Sequence, residues 1–172
     1  MASFSKLTIY YFTGTGNAYN TAVWIAREAQ RNNIPYRIIN IAKVNVKELS
    51  KHQEDELITF ISPVHGFNYP PVMLSFLTRF PKGKAKVVLM NTRAGMLIKR
   101  WITPGLSGIT FYFASMVLLA KGYKIQGMFP VDMPSNWMSI HPGLNDRTVK
   151  FLHEKNRQRV TKFAGKILSG KK

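Results

Sequence analysis

The stretch YFTGTGNAYNTA, from Tyr11 to Ala22, constrains this chain more than any other. An apolar run with strand character (Leu7, Ile9, Tyr10, Tyr11, Phe12) breaks into Thr13-Gly14-Thr15-Gly16-Asn17, and alanine-rich helical sequence follows at once. The order strand, short loop, helix predicts an anion site. Two glycines let backbone N–H groups turn toward a negative charge, Thr13 and Thr15 add hydroxyls, and the helix points its positive end at the same spot. Gly16 is not followed by the Lys-Ser/Thr pair of a nucleoside-triphosphate loop. A dinucleotide fingerprint would place a third glycine at Tyr19 and an acidic residue near Asn40, and neither is there. The expected ligand is a phosphate monoester held by neutral hydrogen-bond donors.

The rest of the chain alternates. Asn17 to Arg31 places Ala18, Ala22, Ile25, Ala26 and Ala29 on one helical face, and Asn32-Asn33 stops it. Residues 35–41 read as a second strand, followed by a polar stretch to Asp55 in which nothing suggests a site. Glu56 to Ile61 reads as a buried third strand and delivers the stiff segment Ser62-Pro63-Val64-His65-Gly66-Phe67-Asn68-Tyr69-Pro70-Pro71. Pro71 opens a second helix with Val72, Leu74, Phe76 and Leu77 inward. Lys84 to Asn91 reads as a fourth strand, Thr92 to Met96 as its loop, and the connection up to Ser107 is long enough to be functional or mobile. Ser107 to Lys121 is an apolar helix expected to be well buried, and Tyr123 to Val131 a fifth strand. A last helix, capped by Asn145 or Asp146, runs to about Leu168. Its expected outer face is basic: Lys150, Lys155, Arg157, Arg159, Lys162 and Lys166.

Composition narrows the chemistry. The 172 residues suit one domain, 1–172, with 45% hydrophobic content and no apolar run of the ~20 residues that span a bilayer. The N-terminal MASFSKLTIYYF lacks the pattern of a secretory leader, so the expected location is cytoplasmic. With zero cysteines there is no disulfide, thiolate nucleophile or self-held iron-sulfur cluster, and redox chemistry must use a bound organic cofactor. The formal charge is +17, and no acidic residue occurs between Leu57 and Val131. Such a field attracts acidic proteins or other polyanions, although no recognisable nucleic-acid motif interleaves aromatics with the cations.

The Thr13-Gly14-Thr15-Gly16-Asn17 loop resembles the FMN phosphate loop of the flavodoxin-like family, which has a Thr-x-Thr-Gly-Asn form after the first strand. The resemblance implies an α/β three-layer sandwich with a five-stranded parallel sheet in the order 2-1-3-4-5. It implies FMN contacts at Thr13, Gly14, Thr15, Gly16, Asn17 and Ala18, where Ala18 replaces the family's usual Ser or Thr. Pro63, Val64, His65, Gly66, Phe67 and Tyr69 occupy its second flavin loop, with Phe67 or Tyr69 against the ring. Asn91, Thr92, Arg93, Gly95 and Met96 occupy the third, with Trp101 covering or flanking the flavin. Arg93, Lys99 or Arg100 near the ring would raise its reduction potential. The Met133-Pro134-x-Asn136 element resembles flavodoxin domains fused to a ferredoxin module, so the implied partner is a separate redox protein, ferredoxin-like or otherwise acidic. Two alternatives share the fold: an FMN-dependent NAD(P)H:quinone or small-acceptor reductase, and a flavin-free basic binding module. A Gly-x-Ser-x-Gly nucleophile elbow is absent.

Overall fold

The computed structural model of the protein describes residues 4–98, 101–134 and 145–169, with the backbone alone at 96–98, 101 and 102. Elements follow in the order β1 (Lys6–Tyr11), α1 (Asn17–Arg31), β2 (Tyr36–Asn40), β3 (Glu56–Pro63), α2 (Pro71–Arg79), β4 (Lys86–Ile98), β5 (Trp101–Thr103), α3 (Thr110–Ala120), β6 (Lys124–Pro134) and α4 (Asp146–Leu168). The five parallel strands lie in the order β2-β1-β3-β4-β6, which is 2-1-3-4-5 counted among themselves. The short β5 is additional and pairs antiparallel with the end of β4.

Strand side chains alternate between two layers. Leu7, Ile9, Leu57, Ile61, Val88, Met90, Val131 and Met133 pack with the small inner face of α1 and with Val160, Ala164 and Ile167 of α4. On the other face, Tyr10, Ile58, Phe60, Val87 and Leu89 meet Met73, Phe76 and Leu77 of α2 and Ala114 and Leu118 of α3. This second layer is aromatic: Phe80 lies edge-on to Phe60 at 5.1 Å and to Tyr10 at 5.2 Å. Burial raises the Tyr10 phenol above its ordinary range.

The β2–β3 connection carries no long helix. Asn40 and Asn45 instead nucleate short 3-10 turns over Ile41–Lys43 and Val46–Glu48 by accepting from Ala42 and Lys47 N–H. Within this polar stretch His52 is buried. Its ring bridges Tyr10 Oη at 3.0 Å and Glu56 Oε2 at 2.5 Å, with Nδ1–H donating to the carboxylate. The chain ties the connection to the sheet.

Three expectations are corrected. Thr92 to Met96 is not a loop: β4 continues through it, paired with β6 as far as Gly95 against Pro134, then turns back as a hairpin. Helix α3 is only half buried, with Tyr112, Met116 and Leu119 among the most exposed apolar residues. Val72 of α2 is exposed as well, and Met73 takes the inward position beside Phe76 and Leu77. The outer strand β6 accommodates Pro130, which a central strand would exclude for lack of an N–H.

Candidate functional site

The carboxyl ends of β1, β3 and β4 converge on one edge of the sheet, where parallel sheets hold ligands. After β1, Gly16 takes φ 90°, a left-handed conformation that turns the chain directly into α1. Its N–H donates to Thr13 Oγ1 at 2.9 Å, which closes the loop and leaves the Thr13 hydroxyl proton available to an acceptor. Among the described residues no side chain caps α1, so the helix presents its positive end at the loop. Among the described residues nothing stands within 4 Å of where a Cβ would project from Gly14 or Gly16, so this side of the loop is open to them. Asn17 points elsewhere: its Nδ2 donates to Pro134 O at 3.2 Å and ties the loop to the end of β6. Ala18 is buried in the core beneath the first turn.

After β3, Val64 N–H donates to Thr92 O at 3.0 Å. His65 and Asn68 then exchange backbone hydrogen bonds of 2.8 and 3.1 Å around Gly66 (φ 54°) and Phe67 (φ 62°). Two successive positive φ values make a type I′ turn, and Phe67 is a bulky residue in a conformation that costs about 1–3 kcal/mol. The turn is held from outside: Ile109 N–H donates to Phe67 O at 2.9 Å, and Gly108 (φ 56°) approaches so closely that a Cβ would collide with that carbonyl. His65, Gly66 and Phe67 are exposed. Tyr69 does not reach a ligand, because it is buried with its hydroxyl donating to Met90 O at 2.8 Å.

At the third element, Arg93 Nε donates to Asp132 Oδ1 at 2.7 Å and Arg93 Nη1 to Ser107 Oγ at 3.0 Å. Asp132 also accepts from Gly105 N–H at 2.9 Å and from Arg159 Nη1 at 3.3 Å. The charge of Arg93 is therefore spent on a buried carboxylate and does not supply a free cation beside a ring. Gly95 is packed against Asp132, where a Cβ would come within 2.8 Å, so its role is structural. Arg159 also leaves the expected basic face of α4, lying over the Phe129 ring at 5.5 Å. The side chains of Met96 and Trp101, together with Lys99, Arg100 and Asn136, lie outside the described residues.

Two polar side chains at this edge have no hydrogen-bond partner among the described residues. Asn91 is fully buried with neither Nδ2 nor Oδ1 hydrogen-bonded, and its register neighbour Ser62 is buried with a free Oγ. Such groups require water or a ligand. Asn91 stands in the expected site, whereas Ser62 was not singled out by sequence. Its signal was a hydroxyl ending an otherwise apolar strand. Asp132 and Ser107 were missed too, since their partners are distant in the chain.

No family model matches the chain, and no curated protein does. Solved structures do. A flavodoxin from the domain Archaea superposes with TM-score 0.55 at 14% identity, covering 92% of this chain and 98% of its own. Flavodoxin 1 from Bacillus cereus gives 0.57 at 15%, covering 92% and 98%. A Fusobacterium nucleatum flavodoxin bound to flavin mononucleotide gives 0.53 at 14%, covering 98% and 99%. At this identity the likeness extends to architecture, and the chain has the flavodoxin-like fold.

Proposed function

We propose that this chain binds FMN and carries electrons between separate redox proteins in the cytoplasm. The observation that carries the reading is the open loop of Thr13 to Gly16 over the uncapped start of α1, on the edge of a parallel sheet. A phosphate monoester fits there without a cation, since the Thr13 hydroxyl proton and the positive end of α1 are both free to meet it. The residues present also fit a flavin: Phe67 offers an exposed ring in the next loop, and Asn91 and Ser62 leave polar atoms unsatisfied at the same edge.

Bound FMN supplies one- and two-electron transfer, and the chain supplies binding and electrostatics. Thr13 would donate its hydroxyl to the phosphate and Gly14 and Gly16 would keep side chains clear of it, while Asn17 fixes the loop against β6. Asp132 pairs with both Arg93 and Arg159, so the carboxylate offsets one of the two guanidinium charges beside the third element. No acid-base side chain is required of this chemistry.

The test is the visible spectrum of purified protein before and after addition of FMN and removal of the excess. A retained flavin band, with FMN released on denaturation, is the expected result. Thr13→Val should weaken FMN binding about tenfold, the loss of roughly 1.4 kcal/mol. Rapid NAD(P)H oxidation by the yellow protein with a quinone would move the reading to a reductase. A colourless protein that does not take up FMN overturns both and leaves a basic binding module.

A further inference from the structure

Helix α3, TFYFASMVLLA, contains no charged residue and is apolar on both sides. Ala114 and Leu118 face the core, while Ile109 (58% exposed), Tyr112 (75%), Met116 (70%) and Leu119 (56%) form a continuous outer stripe with helical spacing. At a rise of about 1.5 Å per residue the stripe runs roughly 15 Å. It continues past the helix start into Leu106 (70%) and Phe67 (61%), because Ile109 N–H is bonded to Phe67 O. A contiguous apolar surface of this extent on a soluble fold marks an interaction site.

Charge identifies the occupant. At the far end of the stripe, Gly83 N–H donates to Lys121 O at 3.1 Å and Lys121 Nζ donates to Phe80 O at 2.8 Å, which brings the backbone of Lys82 and Lys84 and the Lys121 ammonium to the end of α3. Glu54, the acidic side chain nearby, is paired with Lys124 at 2.5 Å, and that bond holds its carboxyl below the usual range. From Leu57 to Val131, which includes α2, β4 and α3, the chain has no acidic residue to repel an anionic partner. A second copy bearing the same +17 charge would be repelled.

We infer that the outer face of α3 is the docking surface for an acidic redox protein whose contact patch has an apolar centre. The stripe would take the apolar centre, and the lysines at its end would steer and orient the acidic rim. Its upper end at Phe67 adjoins the proposed flavin loops, so a partner seated there sits beside the redox site. That the partner is a redox protein rests on the electron-carrier reading. The surface itself does not.

The experiment uses an acidic plant-type [2Fe–2S] ferredoxin as probe and measures its affinity by calorimetry for the full chain, with and without FMN, at low and physiological salt. Expected is binding that weakens at least tenfold with added salt, and a further tenfold or greater loss in Tyr112→Ser/Met116→Gln with an unchanged thermal melt. Phe151→Gln, on the exposed side of α4, should bind as the native chain does. Equal affinity of the native chain and the double variant overturns the inference, even if FMN is bound. Two further results overturn it: stripe-dependent sedimentation with vesicles containing phosphatidylserine, which would make it a membrane surface, and a stripe-dependent dimer. Stripe-dependent ferredoxin binding by a chain that takes up no FMN would keep the surface and refute the electron carrier.

Discussion

Helices α3 and α4 both pack on the sheet, but they treat their solvent faces in opposite ways. Helix α4 is amphipathic: Leu152, Val160, Ala164 and Ile167 are buried. Glu154 on its outer side accepts from Arg157 at 2.6 and 2.9 Å, which lowers its carboxyl to about 2. Helix α3 has the same kind of inner contacts and no polar outer face. The inner face of each is set by the core it must fill. Folding imposes no comparable demand on the outer face, so an apolar stripe there reflects a task outside the chain.

The largest expected effect tests what anchors α4. Asp132→Ala leaves Arg93, Arg159 and the Gly105 N–H without their shared acceptor, and should cost about 3–5 kcal/mol in urea unfolding. A loss under 1 kcal/mol would mean the cluster is dispensable. Within α3, Leu118→Ala should destabilise by about 2–5 kcal/mol and Met116→Ala by no more than ~0.5 kcal/mol. Equal losses would erase the distinction between its two faces. Asn145→Ala removes the cap that accepts from Thr148 N–H at 2.8 Å and should cost about 1 kcal/mol, an effect α3 has no side-chain cap to match.

The smallest effect depends on pH. His153 on α4 lies edge-on to Trp24 of α1 at 6.1 Å, and burial lowers its imidazole below the ordinary value. A depressed folded value means that its contribution to stability is complete above the unfolded pKa of about 6.5 and is lost as pH falls through the folded one. Stability should therefore decline from pH 7 to pH 5 by a small amount that His153→Gln abolishes. An NMR titration placing the imidazole above 6.5 would refute the sign.

Much of this was legible in the sequence. Helix α1 begins at Asn17 and ends at Arg31 as its alanine spacing requires, and the Gly-Thr loop before it announces the strand-to-helix turn. Of the two expected caps of α4, Asn145 takes the role and Asp146 begins the helix. What failed did so for identifiable reasons. The run Asn91-Thr92-Arg93 looks like the end of a strand because its side chains are polar, but Arg93 is paired with Asp132, a partner 39 residues away. The burial of α3 was misjudged because a helix apolar on every side has no periodicity to orient it. Tyr69 looked like a loop aromatic because no local pattern revealed its bond to Met90 O. His52 looked like part of a polar connector, since Tyr10 and Glu56 reach it only in the folded sheet.

Pro130 on the outer strand has a consequence for how the chain behaves when concentrated. A sheet with a free edge can be extended by a strand from a neighbouring molecule, and such growth has no natural end point. The missing N–H of Pro130 interrupts the row of donors that an added strand would read. That edge is thereby blunted against open-ended growth, whereas the outer face of α3 offers a finite, side-chain-built surface that can be occupied once and then released.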